Sequence, residues 1–363
     1  MFFDRFRDAL SRLPTGLIRP GPAAEPKALA GVESELGRSL PPTFVSFLRS
    51  FDGVDLFHEA VVIAGVGGEA PQHLLALNAE RPLRELTFAV AAAGDRFAFR
   101  DDGAVVRLRV GDDDSAENER WLAGSDFSSW LEALIAHERV LYGPDGEFSP
   151  DAFEPDGAEI LPVVALRQAE RALKADEGSA ELHHERATAL RRLGRDDDAL
   201  RAFRRAADLD PQNPWAAFDL GRAALAEGVA GGREALEAFE RAGRLERGDT
   251  GARFWIWGAR AAQVLALPDR LDTCRREALA RAPGLAADLH RAREAAAAGD
   301  EPEALTEAEA LVAALEEPMG SGRSRLTVLT REEPAQKKPP VEPSRPVVAK
   351  RNKKETGAAK KRR

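Results

Sequence analysis

The segment Gly65–Ala70 carries a pattern known from dinucleotide-binding proteins. It satisfies the spacing G-x-G-x-x-A after an apolar run, which in dinucleotide-binding proteins lets a pyrophosphate approach a helix N-terminus. However, Pro71 leaves room for only a short helix before Pro82, and no acidic residue ends the next apolar run, Thr87–Ala92, to hold a ribose. We therefore interpret the segment as a turn between a strand and a loop, and we predict no cofactor there.

A histidine pair could bind a metal only with further ligands. His184-Glu185 begins the zinc-binding pattern H-E-x-x-H, but Thr188 stands where the second histidine is required. The adjacent His183 would point in a different direction on a helix, so the two histidines cannot share a metal. The sequence therefore predicts no metal site at this position.

An acidic run at Asp112, Asp113 and Asp114 follows the predicted strands. It lacks the ligand spacing and the central glycine of a calcium-binding loop. We interpret it as a solvated hairpin end, with an acidic recognition patch as the alternative.

Signatures of catalytic nucleophiles are missing from the sequence. It contains no G-x-S-x-G, no S-x-x-K, and no cysteine near a base. Cys274 is the only cysteine, so no disulfide can form within the chain, and a reducing compartment is the natural fit. The first residues give no signal-peptide pattern, and no run of 18 apolar residues occurs. We expect a cytoplasmic protein that is not an enzyme.

The first part of the chain predicts an α+β domain at 21–142, preceded by a helix at 1–20. Apolar spacing indicates one helix at 27–37 and another that starts at Leu40-Pro41-Pro42. Apolar runs separated by Gly, Pro and Asp indicate strands at 61–64, 86–92, 96–100 and 104–110, followed by a closing helix from Phe127 to Ile135.

The stretch VESELGRSLPPTFVSFLRSFDG resembles the opening of the SUKH superfamily, the Smi–Knr cell-wall regulator-like domains. The residues that carry the resemblance are Leu36, Gly37, Leu40, Pro41, Phe44, Phe47, Leu48, Asp52 and Gly53. Asp52 departs from the asparagine that is frequent in the family, which keeps the tight turn but adds a charge. The resemblance covers about residues 25–140 and implies a protein-binding domain. Its bacterial relatives are often immunity proteins that block toxins, and a fungal relative organises cell-wall signalling.

A 34-residue period follows a Pro/Gly/Asp-rich linker at 143–160. Residues 180–213 and 214–249 resemble tetratricopeptide repeats, whose small residues let two helices approach closely. Weaker units follow at 251–283 and 285–315, and residues 162–176 match a second helix alone. Residues 161–317 are therefore predicted to form an all-α solenoid. Because the linker carries few apolar residues, the two domains are expected to fold separately.

The repeat resemblance implies a concave groove lined by the first helix of each unit. Carried onto this chain, the partner-binding residues would be His184, Arg191, Trp215, Phe218, Arg222 and Trp255. Aromatic and arginine side chains are the ones that dominate interface energetics. The alternative is that Trp215 and Trp255 pack between helices.

The C-terminal segment 318–363 differs from the rest of the chain in charge and composition. Its last 41 residues hold 14 Lys/Arg and 4 Asp/Glu, while the remaining residues hold 38 basic and 57 acidic side chains. The segment has many prolines and no aromatic residue, so it is predicted to be disordered. It could contact nucleic acid or other anions without sequence preference, or contact the acidic body of the same protein.

Two functional hypotheses follow for this chain, whose Ala/Arg/Gly-rich composition suggests a bacterial source. In the first, the SUKH-like domain binds a toxin or effector, and the repeats add a second contact. In the second, the protein is a scaffold or adaptor that uses the repeat groove as its main binding site. A toxin gene next to this one would favour the first hypothesis.

Overall fold

An antiparallel sheet forms the first half of the molecule. The computed structural model describes residues 13–14, 16–79, 85–109, 119–155, 157, 159–299 and 301–316. Seven strands within these ranges pair in chain order, each antiparallel to the next. They are β1 (Ile18–Pro20), β2 (Val54–Leu56), β3 (Val61–Ile63), β4 (Leu86–Ala91), β5 (Arg96–Phe99), β6 (Val105–Leu108) and β7 (Arg120–Gly124).

The strands β3 to β6 agree with the sequence prediction, whereas β1, β2 and β7 do not appear in it. The predicted helix at 1–20 is wrong at its end, where residues 18–20 pair with β2, and residues 1–12 lie outside the described part. Strands β1 and β2 have three residues each, which is too short for an alternating apolar pattern to be recognised.

Four α-helices accompany the sheet in the described part of this region. They are α1 (Pro26–Leu36), α2 (Pro42–Leu48), α3 (Leu74–Leu77) and α4 (Phe127–Glu138). Phenylalanines join them to the strands: the Phe44 ring centre lies 5.1 Å from that of Phe127 and 5.3 Å from that of Phe99. Aromatic burial of this kind supplies much of the driving force for such a core.

The residues of the SUKH-like motif serve the structure of this domain. Gly37 ends α1 with a left-handed φ of 64°, and Pro41 precedes the first turn of α2. The apolar members Leu40, Phe44, Phe47 and Leu48 are buried, and Leu36 is half-buried. The motif is therefore explained by packing, and the family assignment itself stays a prediction.

Asp52 explains the glycine-rich segment that follows β3. One Asp52 carboxylate oxygen accepts the backbone N–H of Val66 at 2.6 Å, and the other accepts that of Gly67 at 2.7 Å. Gly53 takes a φ of 81°, which suits glycine at the turn. The backbone donors that would bind a pyrophosphate in a dinucleotide site are thus already paired with a side chain of this chain.

Nine helices follow in the second half of the described chain. They are α5 (Pro162–Leu173), α6 (Ala180–Arg192), α7 (Asp196–Leu209), α8 (Pro214–Ala226), α9 (Val229–Leu245), α10 (Gly248–Val264), α11 (Pro268–Arg281), α12 (Leu285–Ala298) and α13 (Pro302–Glu316). Helices α6 to α13 form four hairpins in sequence. They match the predicted repeat units, except that α10 starts at Gly248, before the predicted start at residue 251. Close approach requires glycine in the second hairpin, where a Cβ at Gly221 would lie 2.6 Å from the Phe239 ring.

The predicted linker 143–160 is folded against the sheet domain. Tyr142 pairs with Phe148 and Phe153 pairs with Ile160 as isolated bridges, and Ala152 is buried in the same core as the sheet. The Tyr142 hydroxyl donates to the Phe57 carbonyl at 3.2 Å. The segment therefore extends the first domain rather than separating two.

Candidate protein-binding groove

The inner face of the second hairpin carries a half-buried aromatic cluster. On α8, Trp215, Phe218 and Arg222 follow one another at steps of three and four residues and so share one helix face. The rings of Trp215 and Phe218 both pack on Phe254 of α10, with centroid distances of 5.1 and 4.7 Å. Each ring keeps part of its surface exposed. This face therefore offers apolar area that is already held in position.

Arg222 completes this face with a charge. Its guanidinium carbon lies 5.9 Å from the Phe218 ring centre and 5.2 Å from that of Trp257. Its Nη2 donates to Glu307 of α13 at 3.0 Å. A guanidinium fixed over aromatic rings is preorganised to recognise a carboxylate. We call Trp215, Phe218, Arg222 and Trp257 the aromatic–Arg surface.

Trp255 does not belong to this surface. It is 5% exposed, and its indole N–H donates to the Gly243 carbonyl at 3.0 Å. A Cβ at Gly243 would lie 2.5 Å from Trp255 Nε1, so the tryptophan fills the space between α9 and α10. Its assignment to the groove is a wrong prediction, and the alternative of packing between helices is the correct one.

Trp257, which the sequence analysis missed, takes the groove position in the third hairpin. Helix α10 starts at Gly248, three residues before the start assumed from the repeat. The signal was present in the sequence: Arg253, Trp257 and Arg260 recur at helical spacing and are exposed or half-exposed. Arg253 and Arg260 therefore add positive charge on either side of Trp257.

The inner face of the first hairpin is covered by the sheet domain. The His184 ring lies 4.4 Å from the ring of Trp121 on β7, and its Nε2 lies 2.7 Å from Asp219 Oδ2. Trp121 is 1% exposed. His184 is thus paired inside the molecule, and its side chain is only 15% exposed. Arg191 is exposed at the other end of α6, with its guanidinium 5.5 Å from the Phe203 ring centre.

Backbone groups of β7 are held by two equivalent carboxylates of the repeat array. The N–H of Ser125, just after β7, donates to Asp176 at 2.8 Å, and the N–H of Leu122 donates to Asp210 at 3.1 Å. The two aspartates are 34 positions apart, each in the turn before the first helix of a hairpin. The sheet and the array belong to one compact unit, so the structure places in contact two domains that the sequence analysis expects to fold separately.

Ionic groups accompany this contact. Arg107 of β6 donates to Glu181 of α6 at 3.0 Å and also to Asp95 at 2.8 Å. His137 of α4 lies 3.2 Å from Glu185 of α6. A cavity of about 230 Å³ adjoins these side chains, with Phe97 and Trp130 in its apolar wall.

Burial and pairing shift the pKa values of these groups. Burial alone would lower the pKa of His137, but attraction to Glu185 raises it to about 10. Burial would raise the pKa of Glu185, but the His137 charge lowers it to about 2. For Glu181, burial outweighs the nearby Arg107, and the pKa is raised.

Other predicted features fall outside this contact. Asp112, Asp113 and Asp114, the proposed acidic recognition patch, and the basic segment 318–363 lie outside the described residues. Cys274 lies on α11 and is fully buried. Within the described ranges, no helix is long and apolar enough to cross a membrane.

Comparison with known proteins identifies one repeat. Residues 180–213 match the tetratricopeptide repeat family model. No curated protein matches the chain. The family match covers α6 and α7, the first hairpin of the array.

Solved structures of helical-repeat proteins align with part of the chain. The crystal structure of MamA is 18% identical and aligns over 42% of this chain and 86% of its own, with a TM-score of 0.32. MamA from Desulfovibrio magneticus RS-1 is 19% identical over 43% of this chain and 85% of its own, with a TM-score of 0.31. YrrB, described as a TPR protein with an unusual peptide-binding site, is 18% identical over 43% of this chain and 78% of its own, with a TM-score of 0.31.

Proposed function

We propose that this protein is a non-enzymatic scaffold that binds another protein through the aromatic–Arg surface of its second and third hairpins. The observation that carries the proposal is the position of Arg222, held over Phe218 and Trp257 while all three remain partly open to solvent. Half-exposed aromatic rings with a fixed arginine are the composition of interface hot spots.

The contact between the sheet domain and the first hairpin reduces the part of the groove that a partner can reach. Because the sheet domain covers His184 and Glu181, the start of α6 is closed to a partner, and the residues of the predicted groove that a partner can reach are Arg191 at the end of α6 and those of the second and third hairpins. The aromatic–Arg surface therefore favours the scaffold hypothesis over the toxin-binding one. The toxin-binding role that the SUKH resemblance implies stays a prediction, since no described contact on the sheet domain distinguishes it.

Site-specific photo-crosslinking in the native host tests the proposal. The photoreactive residue p-benzoylphenylalanine would replace Ala226, which is exposed at the end of α8, and in a control chain Arg201, which is exposed on α7, the second helix of its hairpin. We expect one protein to be crosslinked from position 226 and not from position 201.

Affinity measurements with that protein then define the contact. Arg222→Glu is expected to weaken its binding by at least about tenfold, as for a hot-spot residue, while Arg201→Glu leaves it unchanged. Circular dichroism confirms that both variants keep the helices. Equal crosslinking from the two positions, or equal affinity of the two variants, would contradict the proposal.

A further inference from the structure

The fourth hairpin packs against the array in an unusual way. In the preceding hairpins the first helix packs on the second helix of the hairpin before it: α8 on α7 and α10 on α9. In the fourth hairpin the second helix, α13, packs against α10, the first helix of the third hairpin. Arg222 lies 5.2 Å from the Trp257 ring centre and donates a hydrogen bond to Glu307 of α13, so α13 lies beside the aromatic–Arg surface.

Helix α13 is an acidic amphipathic helix. It contains four glutamates and no basic residue, and one stripe of it, including Leu311, Val312 and Leu315, is buried. Glu307 accepts a hydrogen bond from Arg222, and the Ala314 carbonyl accepts one from Arg275 of α11 at 2.6 Å. Helix α13 thus has a buried apolar stripe and a carboxylate, that of Glu307, which accepts a hydrogen bond from Arg222 of the aromatic–Arg surface.

The polar attachment of α13 to the second hairpin is weak enough to exchange. The Arg222 and Glu307 side chains are 39% and 42% exposed, so solvent and salt screen the pair. An arriving carboxylate can therefore take the place of Glu307 without leaving a charge buried and unpaired.

We propose that α13 is an internal occupant of the binding groove, and that the external partner is an acidic amphipathic helix that displaces it. This inference rests on the proposed function and adds the class of partner and its regulation. The groove is held partly closed by α13, and a partner helix gains the inner face of α10 when α13 leaves it.

The test uses the full-length protein and a fluorescent peptide with the sequence of residues 301–316. In the protein, Glu309→Pro breaks α13, because proline inside a helix removes a hydrogen bond and clashes with the preceding turn. Glu309 is exposed, so Glu309→Gln is a matched control that keeps the helix. We expect the peptide to bind Glu309→Pro at least about tenfold more tightly than Glu309→Gln or the wild type.

Charge reversal provides a second arm that needs no proline. In the Glu309→Pro background, a peptide that carries Glu307→Arg is expected to lose at least about threefold in affinity. The additional change Arg222→Glu in the protein should restore the binding of that peptide and weaken the binding of the original one. Circular dichroism and gel filtration check that each variant is folded and monodisperse.

The outcomes separate this inference from the proposed function. Equal peptide affinity for Glu309→Pro and Glu309→Gln, or a failure of Arg222→Glu to restore the reversed peptide, would overturn the displacement of α13 while leaving the crosslinked partner at position 226 unaffected. Conversely, if the peptide behaves as expected but Arg222→Glu does not alter partner binding, the internal occupant stands and the proposed function fails.

Discussion

At the residue scale, ionic side chains at the junction of sheet and helices bear directly on stability. His137 lies between Glu138 and Glu185, with its ring nitrogens 3.0 and 3.2 Å from their carboxylate oxygens. Its pKa is raised to about 10, so its charge is retained at neutral pH. A histidine charged in the folded state and neutral in the unfolded state couples folding to proton uptake.

Replacing His137 by glutamine tests this coupling. Because the folded pKa of about 10 lies above the ordinary value of 6.5, the stability that His137 contributes is complete below pH 6.5 and is lost as the pH rises towards 10. We expect His137→Gln to lower the free energy of unfolding by about 2 kcal/mol at pH 6, since a hydrogen-bonded charge is removed. The loss should be much smaller at pH 9.5.

Urea titrations at pH 6.0, 7.5 and 9.5 provide the measurement. His290→Gln serves as the control, because His290 pairs with Glu316 at the far end of the array and is half-exposed. A difference between wild type and His137→Gln that stays constant over these pH values would show that the histidine acts only through packing.

At the element scale, β7 matches the spacing of the repeat array. Leu122 and Ser125 are three residues apart, which spans about 10 Å along a strand. Neighbouring helices pack about 8–10 Å apart, so successive repeat turns can reach successive N–H groups of the strand. Asp176 and Asp210 accept these donors, and the free edge of the sheet is thereby covered.

Removing one of these acceptors should destabilise the protein. Asp210 is 4% exposed, so Asp210→Ala leaves the Leu122 N–H buried without its acceptor. We expect a loss of about 1–3 kcal/mol in thermal or urea unfolding. Asp210→Asn, which keeps an acceptor oxygen, should lose less, and Asp208→Ala, at an exposed position two residues away, should lose about nothing. Equal effects of Asp210→Ala and Asp208→Ala would rule out this role.

The helices of the array could be predicted from sequence because the 34-residue period repeats small residues and caps. Ser179 and Asn213 cap α6 and α8 at equivalent positions, and each side chain accepts a backbone N–H of its helix. The groove was predicted only in part, because the third unit departs from the repeat pattern: counting positions from residue 251 selected Trp255, which is buried, whereas the half-exposed tryptophan of α10 is Trp257. The contact between β7 and the repeat array could not be predicted, since its carboxylate acceptors, Asp176 and Asp210, are far in sequence from the backbone donors of Ser125 and Leu122.

At the scale of the whole molecule, we expect the sheet and the array to unfold together, because hydrogen bonds and ion pairs join them. Arg107→Ala leaves Glu181, which is 5% exposed, without its closest basic partner, and we expect a loss of about 2–3 kcal/mol. Hydrogen exchange should then show reduced protection both in β5 and in α8. The control Arg201→Ala, at an exposed position of α7, should change neither. Faster exchange confined to the sheet would indicate two independent modules.

The uneven charge of the chain leads to the last prediction. The final 41 residues carry 14 basic and 4 acidic side chains, while the rest of the chain is acidic. A polycationic segment binds phosphate backbones through counterion release, and without aromatic residues it has no base stacking that could give sequence preference. The acidic remainder competes for the same charges.

We therefore expect a peptide of residues 323–363 to bind mixed-sequence DNA more tightly than the full-length protein does, and a chain that ends at residue 322 not to bind. For both binding species, the logarithm of the affinity should fall with the logarithm of salt concentration, with a slope of about −0.9 per phosphate neutralised. Equal retention of the full-length and shortened proteins on DNA at low salt would remove the segment from any role in nucleic-acid contact.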